Sequence, residues 1–232
     1  MAAADHHLPD AVLFDVDGTL LDTGGAGALS WTWAFEELVG HPVDIGAYTD
    51  AGMTDPVVAR KTFEADMGRP PTKREIARLM NLYLTVLPDN VEASRGYRVL
   101  PGVEQLLPRL CEQGVLLGLT SGAVEAAAHI KLGRARLNHF FTFGGYGSDS
   151  PDRIELTRRA HERAEQLAGE RLPPQRVFVV GDTPLDVAAA QGAGLVAVGV
   201  ATHKFDRAAL AAAGADHVLD DLTHPFPTVV AG

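Results

Sequence analysis

The chain has 232 residues, enough for one large α/β domain or for a core domain carrying a smaller second one. Its hydrophobic content of 46% suits a globular fold with a full core. The formal net charge is −10 with no basic block, which argues against nucleic acid and anionic membrane surfaces as partners, since both attract clustered Lys and Arg.

The chain opens on MAAADHHLPD, which lacks the basic n-region and apolar h-region of a signal peptide, and no run of about 18 apolar residues follows. A cytoplasmic protein is the expectation. Next comes the apolar run AVLF, which reads as a buried strand and stops in two carboxylates, Asp15 and Asp17. From about residue 23 to 96 no strand pattern occurs. Three helical patterns take its place: SWTWAFEELVG, stopping at Gly40; DPVVARKTFEADMG, with Asp55 as cap and Pro56 at the first helical position; and TKREIARLMNLYLTVL, opened by a Thr72/Glu75 capping box. In that middle stretch Thr54 and Asp55 are candidate substrate contacts, and capping explains Asp55 equally well. The segment VEQLLPRLCEQ reads as a helix in which Pro108 should kink the chain or end the first turns. The single cysteine, Cys111, falls here; it excludes an internal disulfide framework and is expected to be buried.

Strand patterns return as VLLGLTSG, RVFVVGDTP, LVAVGVATH and a weaker HVLD, each but the last followed by a helical pattern. The tail DLTHPFPTVVAG, with two prolines, does not read as a helix. Strands alternating with helices predict an α/β, doubly wound, Rossmann-like parallel sheet with an inserted small α-helical cap domain. The expected division is a core of residues 1–22 and 97–232 and a cap of 23–96.

In such sheets ligands bind beyond the carboxyl ends of the strands. There the sequence puts Asp15 and Asp17, then Thr120, Ser121 and Gly122, then Gly181, Asp182 and Thr183. Carboxylates converging without a counter-charge repel, and a bound Mg²⁺ removes that conflict because it takes oxygen ligands. Asp182 is the natural additional ligand. Asp186, four residues on, can point to the same edge or simply complement the helix dipole. Thr120, Ser121 and Gly122 offer hydroxyls and amides at a strand-to-helix turn, where phosphate binds. In SDSPDRIEL, Ser150 is the expected cap, and Arg153 places a cation in the first turn against the dipole. A substrate anion would explain that cation, and so would an ion pair with Asp149 or Asp152. Nucleophile, metal, anion cradle and cation on one edge describe phosphoryl transfer.

FDVDGTLLD, LGLTSG, the region of Arg153 and VVGDTPLD, in that order, resemble the haloacid dehalogenase-like hydrolase superfamily. The general look is nearest its phosphoglycolate phosphatase-like branch, and the helical insert looks like a type-1 cap. The resemblance implies that Asp15 attacks phosphorus, that Asp17 serves as acid and then base, and that Asp15, the Asp17 carbonyl and Asp182 hold Mg²⁺. It also implies that Thr120 binds the phosphoryl group. The third motif is usually a lysine; here Lys131 lies in the preceding helix, and Arg153 is taken as the replacement, keeping charge in a planar fork. An acid at Asp17 favours a phosphatase of small phosphorylated metabolites over dehalogenase or phosphonate-cleaving chemistry. A sugar phosphomutase stays open as the alternative, with a non-catalytic metabolite-binding protein behind it.

Overall fold

The computed structural model describes residues 6–230. Its centre is a six-stranded, wholly parallel sheet formed by β2 (Ala11–Phe14), β5 (Leu116–Ser121), β6 (Gly144–Tyr146), β7 (Val177–Gly181), β8 (Val196–Val200) and β9 (His217–Leu219). The spatial order is β6-β5-β2-β7-β8-β9, so the carboxylate-ended β2 lies between β5 and β7. Every residue of β2 is buried, as a strand covered on both faces must be.

Alternation along β2 sorts the core. Ala11 and Leu13 face α6 (Arg153–Ala168) and α7 (Pro184–Ala193), whose Ala160, Ala164, Val187 and Ala190 approach closely. Val12 and Phe14 face the other side, with α4 (Val103–Glu112), α5 (Glu125–Arg134) and the C-terminal Leu222 and Phe226. A last short helix, α8 (Arg207–Ala212), anchors Leu210 against β8 and β9.

A two-stranded antiparallel ribbon of β3 (Leu21–Thr23) and β4 (Tyr97–Val99) carries the chain out of the core and back. Between its strands run α1 (Ala26–Val39), α2 (Asp55–Met67) and α3 (Lys73–Ala93), with a short 3₁₀ turn at Ile45–Ala47. Trp31 of α1 stacks on Tyr83 of α3, ring centroids 4.3 Å apart and planes within 11°. The tail forms neither helix nor loop alone: β10 (Val229–Val230) pairs antiparallel with β1 (His6–His7).

Several local expectations give way to packing. α3 passes through Pro88 to Ala93, because Leu87 and Val91 continue its buried stripe. α4 likewise passes through Pro108, held by Val103, Leu106, Leu107 and Leu110. Cys111, one position beyond that apolar stripe, is exposed, not buried. The cap of α6 is Asp152, whose side chain accepts from the Ile154 N–H, and not Ser150. The short strand β6 gave no readable signal, since two of its three residues are glycine.

Candidate active site

The site forms where β2, β5 and β7 end. Asp15 follows β2 directly, and its N–H donates to the Val180 carbonyl at 2.8 Å, so the ladder fixes the backbone that carries the carboxylate. Asp182 follows β7 in the same way. Thr183 then opens α7 with a capping box: its hydroxyl accepts from the Asp186 N–H, while the Asp186 carboxylate accepts from the Thr183 N–H at 3.0 Å. Pro184 stands in the first turn, where a missing N–H costs nothing.

Asp15, Asp182 and Asp186 are all buried, with one oxygen from each lying within 4.8 Å of the others. Burial and then the Asp186 charge push Asp15 up to about 7, against the opposing pull of Arg153. Burial, then Asp186 and Asp15, push Asp182 up to about 9. Such a cluster is short of positive charge, and a hard divalent cation with oxygen ligands suits it. Asp186 is already committed: Oδ1 to the Arg153 guanidinium, Oδ2 to Thr183. Among the described residues the side chains that reach Asp182 are distant, the Thr19 hydroxyl at 3.4 Å and His203 Nδ1 at 3.8 Å. The oxygens that could hold a metal are therefore those of Asp182 and of Asp15, whose own contact with Arg153 is long at 3.4 Å. Gly18 permits this closeness; its φ is +83°, and a Cβ there would run into the Asp182 carboxylate.

Arg153 reaches into this cluster. Its Nη2 lies 3.4 Å from Asp15 Oδ1 and also meets Asp186, while Nη1 donates to the Gly52 carbonyl at 3.0 Å. Its Nε is buried and has no hydrogen-bond partner among the described residues. The surface pairing with Asp149 belongs instead to Arg163, at 2.7 Å. The cation in the first turn of α6 thus faces inward.

The turn after β5 divides its hydroxyls. Ser121 and Gly122 line the cleft, with the Ser121 hydroxyl accepting from the Ala123 N–H at 3.2 Å. Thr120 points below it, and its hydroxyl pairs with Thr157 at 2.9 Å inside the core. The strand's alternation sends neighbours to opposite sides, so of the two hydroxyls expected at the cleft that of Ser121 lies on it and that of Thr120 is turned to Thr157.

The insert closes over this edge. Thr54, not Asp55, is the residue before α2, and it makes no side-chain cap; its hydroxyl donates to the Pro151 carbonyl at 3.1 Å. Asp55 is the first residue of the helix. Its N–H donates to the Gly122 carbonyl, and its carboxylate accepts from the Val124 N–H, both at 2.8 Å. Asp55 therefore joins insert to core instead of capping α2. Its pKa is raised by burial, with Lys131 and the Val124 N–H opposing.

Lys131 was expected away from the site and is in it. Nζ lies 2.5 Å from Asp17 Oδ2, with the lysine side chain 7% exposed and that of Asp17 43% exposed. The cleft encloses about 400 Å³, with Asp15, Asp182 and Arg153 at one end and Trp31, Tyr83 and Lys131 among the residues of its wall. Sequence reasoning missed Trp31, Tyr83, Lys131 and His203. The one available signal was a lysine on the apolar face of α5, beside Ala127, Ala128 and Leu132.

Oxygen donors beside a buried guanidinium, under an inserted helical layer, are the equipment of enzymes that handle phosphate esters. A model of the haloacid dehalogenase-like hydrolase family matches residues 9–194. The chain belongs to that family, in its phosphoglycolate phosphatase-like branch, and is an enzyme of the phosphatase class. It is 31% identical over 228 residues to a phosphoglycolate phosphatase of Rhodospirillum rubrum, covering 92% of this chain and 88% of that one. A phosphoglycolate phosphatase of Synechococcus elongatus is 29% identical over 210 residues, covering 90% and 92%. Among solved structures, a hydrolase from Pseudomonas syringae superposes with a TM-score of 0.70 at 22% identity, covering 92% of this chain and 94% of that one. A β-phosphoglucomutase-like protein from Bacteroides vulgatus shares the fold at 0.65 and 22% identity, covering 93% and 85%. No described helix is long and apolar enough to cross a membrane.

Proposed function

We propose that the chain hydrolyses small phosphorylated metabolites with Mg²⁺ through an aspartyl-phosphate on Asp15, under a cap formed by residues 23–96. The observation that carries this reading is the pairing of Asp15 with Arg153 Nη2, 3.4 Å apart, beside the oxygens of Asp182. Asp15 attacks phosphorus and the ester P–O bond breaks. Asp17 gives its proton to the leaving oxygen, then takes one from the water that opens the acyl phosphate, freeing inorganic phosphate and restoring Asp15. Arg153 and the amides around Ser121 and Gly122 hold the equatorial oxygens, whose charge the transition state spreads. Mg²⁺, held by Asp15, the Asp17 carbonyl and Asp182, would neutralise charge on the phosphoryl oxygens.

The named activity of the curated relatives makes 2-phosphoglycolate the first substrate to try. The test is phosphate release from a panel of phosphorylated metabolites, with and without Mg²⁺, beside Asp15→Asn. Release that needs both metal and Asp15 supports the reading. An Asp15→Asn variant near the wild-type rate overturns it.

A further inference from the structure

Lys131 lies on the face of α5 that buries Ala127, Ala128 and Leu132. An ammonium ion there needs partners, because burying one unpaired is costly. Asp17 supplies the direct contact, at 2.5 Å, while Tyr83 of α3 and Asp55 of α2 line the same cleft and act on the charge from there. Burial works against the charge, yet Asp17, Tyr83 and Asp55 together push the ammonium above the ordinary lysine range. The backbone beside it is tied as well, since the Tyr97 hydroxyl donates to the Lys131 carbonyl at 2.7 Å.

The constraint has a direction. Tyr83 is fixed by its stack on Trp31, and Asp55 by the Val124 N–H. Both are buried, as is Lys131. Asp17 alone has a carboxylate that is nearly half exposed, with room for other rotamers. The fixed cation therefore sets the carboxylate, not the reverse.

We propose that Lys131 is a positioning residue that holds the Asp17 carboxylate at the cleft, so that the helical insert, acting through Tyr83 and Asp55, sets where the acid–base group stands. The proposal rests on the phosphatase reading above for its catalytic meaning, and on the Lys131–Asp17 contact for its geometry.

The test is a double-substitution cycle with Lys131→Met and Asp17→Asn, read as phosphate release under saturating Mg²⁺, beside a crystal structure of Lys131→Met. Misplacing a reacting group by about 1 Å can cost about 10²-fold, so Lys131→Met should lower kcat by up to that factor while KM moves little. The doubly substituted enzyme should be no slower than Asp17→Asn alone, because one residue acts through the other. In the crystal the Asp17 carboxylate should turn away while Asp15 and Asp182 stay in place. Should Lys131→Met not fold, Tyr83→Phe, which keeps the stack on Trp31, replaces it in the cycle and should show the same non-additivity with a smaller loss. Full additivity overturns the proposal, as does an Asp17 that does not move. A rise in KM confined to substrates with an anionic leaving group also overturns it, making Lys131 a substrate contact. A wild-type enzyme that releases no phosphate sinks the phosphatase reading separately; the place of Asp17 in the Lys131→Met crystal then still decides the positioning claim.

Discussion

Arg153 Nη2 lies 3.4 Å from Asp15 Oδ1, and both side chains are over nine-tenths buried. The same guanidinium meets Asp186 and the Gly52 carbonyl, so one side chain spans the end of β2, the start of α7 and the loop of the insert. Arginine suits this place because its fork makes several bonds in fixed directions, which a lysine ammonium does not reproduce.

Arg153→Met should be damaging twice over. It leaves Asp15 and Asp186 buried without their cation, and breaking a buried ion pair costs about 3–5 kcal/mol. It also removes a donor from the anion, a loss of about 10²–10³ in kcat where such donors have been deleted. Arg153→Lys should recover most of the stability and only part of the rate, because the charge returns without the fork to Gly52. Phosphate release and urea unfolding of the two variants, side by side, check this. Equal rates for Arg153→Lys and wild type would refute the role given to the fork.

The metal-free protein should lose stability as pH rises. Asp15 and Asp182 have folded values of about 7 and about 9, above the ordinary carboxylate value of 3.8. Between those limits the folded state binds more protons than the unfolded chain, so the contribution is complete at low pH and disappears as pH passes through the two folded values. Divalent cation should reverse the trend by binding the ionised carboxylates. Melting curves in chelator at pH 6 and pH 9, repeated with Mg²⁺, should show a lower midpoint at pH 9 without metal and a larger gain from Mg²⁺ there. A chelated protein equally stable at both pH values would contradict the absence of counter-charge inferred for the cluster.

How much of this could be read from the residues depends on the range of the interaction. β2, β5 and β7 announce themselves as apolar runs ended by polar turns, and the Thr72/Glu75 capping box is local, so both were legible. Asp55 was not. Its sequence neighbours make it a helix cap, but its carboxylate bonds Val124, 69 residues away. Lys131 failed in the same way, since its partners Asp17, Tyr83 and Asp55 come from three different elements. Thr120 and Ser121 are adjacent hydroxyls, and only the register of β5 against its neighbours decides which faces the cleft. β6 is too short and too rich in glycine to carry a period.

Gly18 offers a cleaner probe of metal binding than any ligand. With φ at +83°, a side chain there is strained by about 1–2 kcal/mol, and a methyl group would run into Asp182. Gly18→Ala should keep the fold, lose stability by that amount or somewhat more, and require more Mg²⁺ for half-maximal rate. Titrating Mg²⁺ against phosphate release gives the answer. An unchanged Mg²⁺ requirement would remove Asp182 from the proposed ligand set.

Asp55 tests the joint between insert and core. Asp55→Ala leaves the buried Val124 N–H without its acceptor, and an unsatisfied buried donor costs about 1–3 kcal/mol. It also takes from Lys131 one of its two carboxylate neighbours. Asp55→Asn keeps an oxygen that the Val124 N–H can reach, so it should lose less than Asp55→Ala. The Asp55 N–H to Gly122 carbonyl bond is main chain and survives both substitutions. If Asp55 were a cap for α2, the two variants would rank the same way, but the loss would lie in helix fraying near residue 55. Hydrogen exchange separates the cases. Faster exchange at the Val124 amide, with the first turn of α2 unchanged, is the outcome expected of a cross-domain tie, and the opposite pattern would return Asp55 to the ordinary role of a cap.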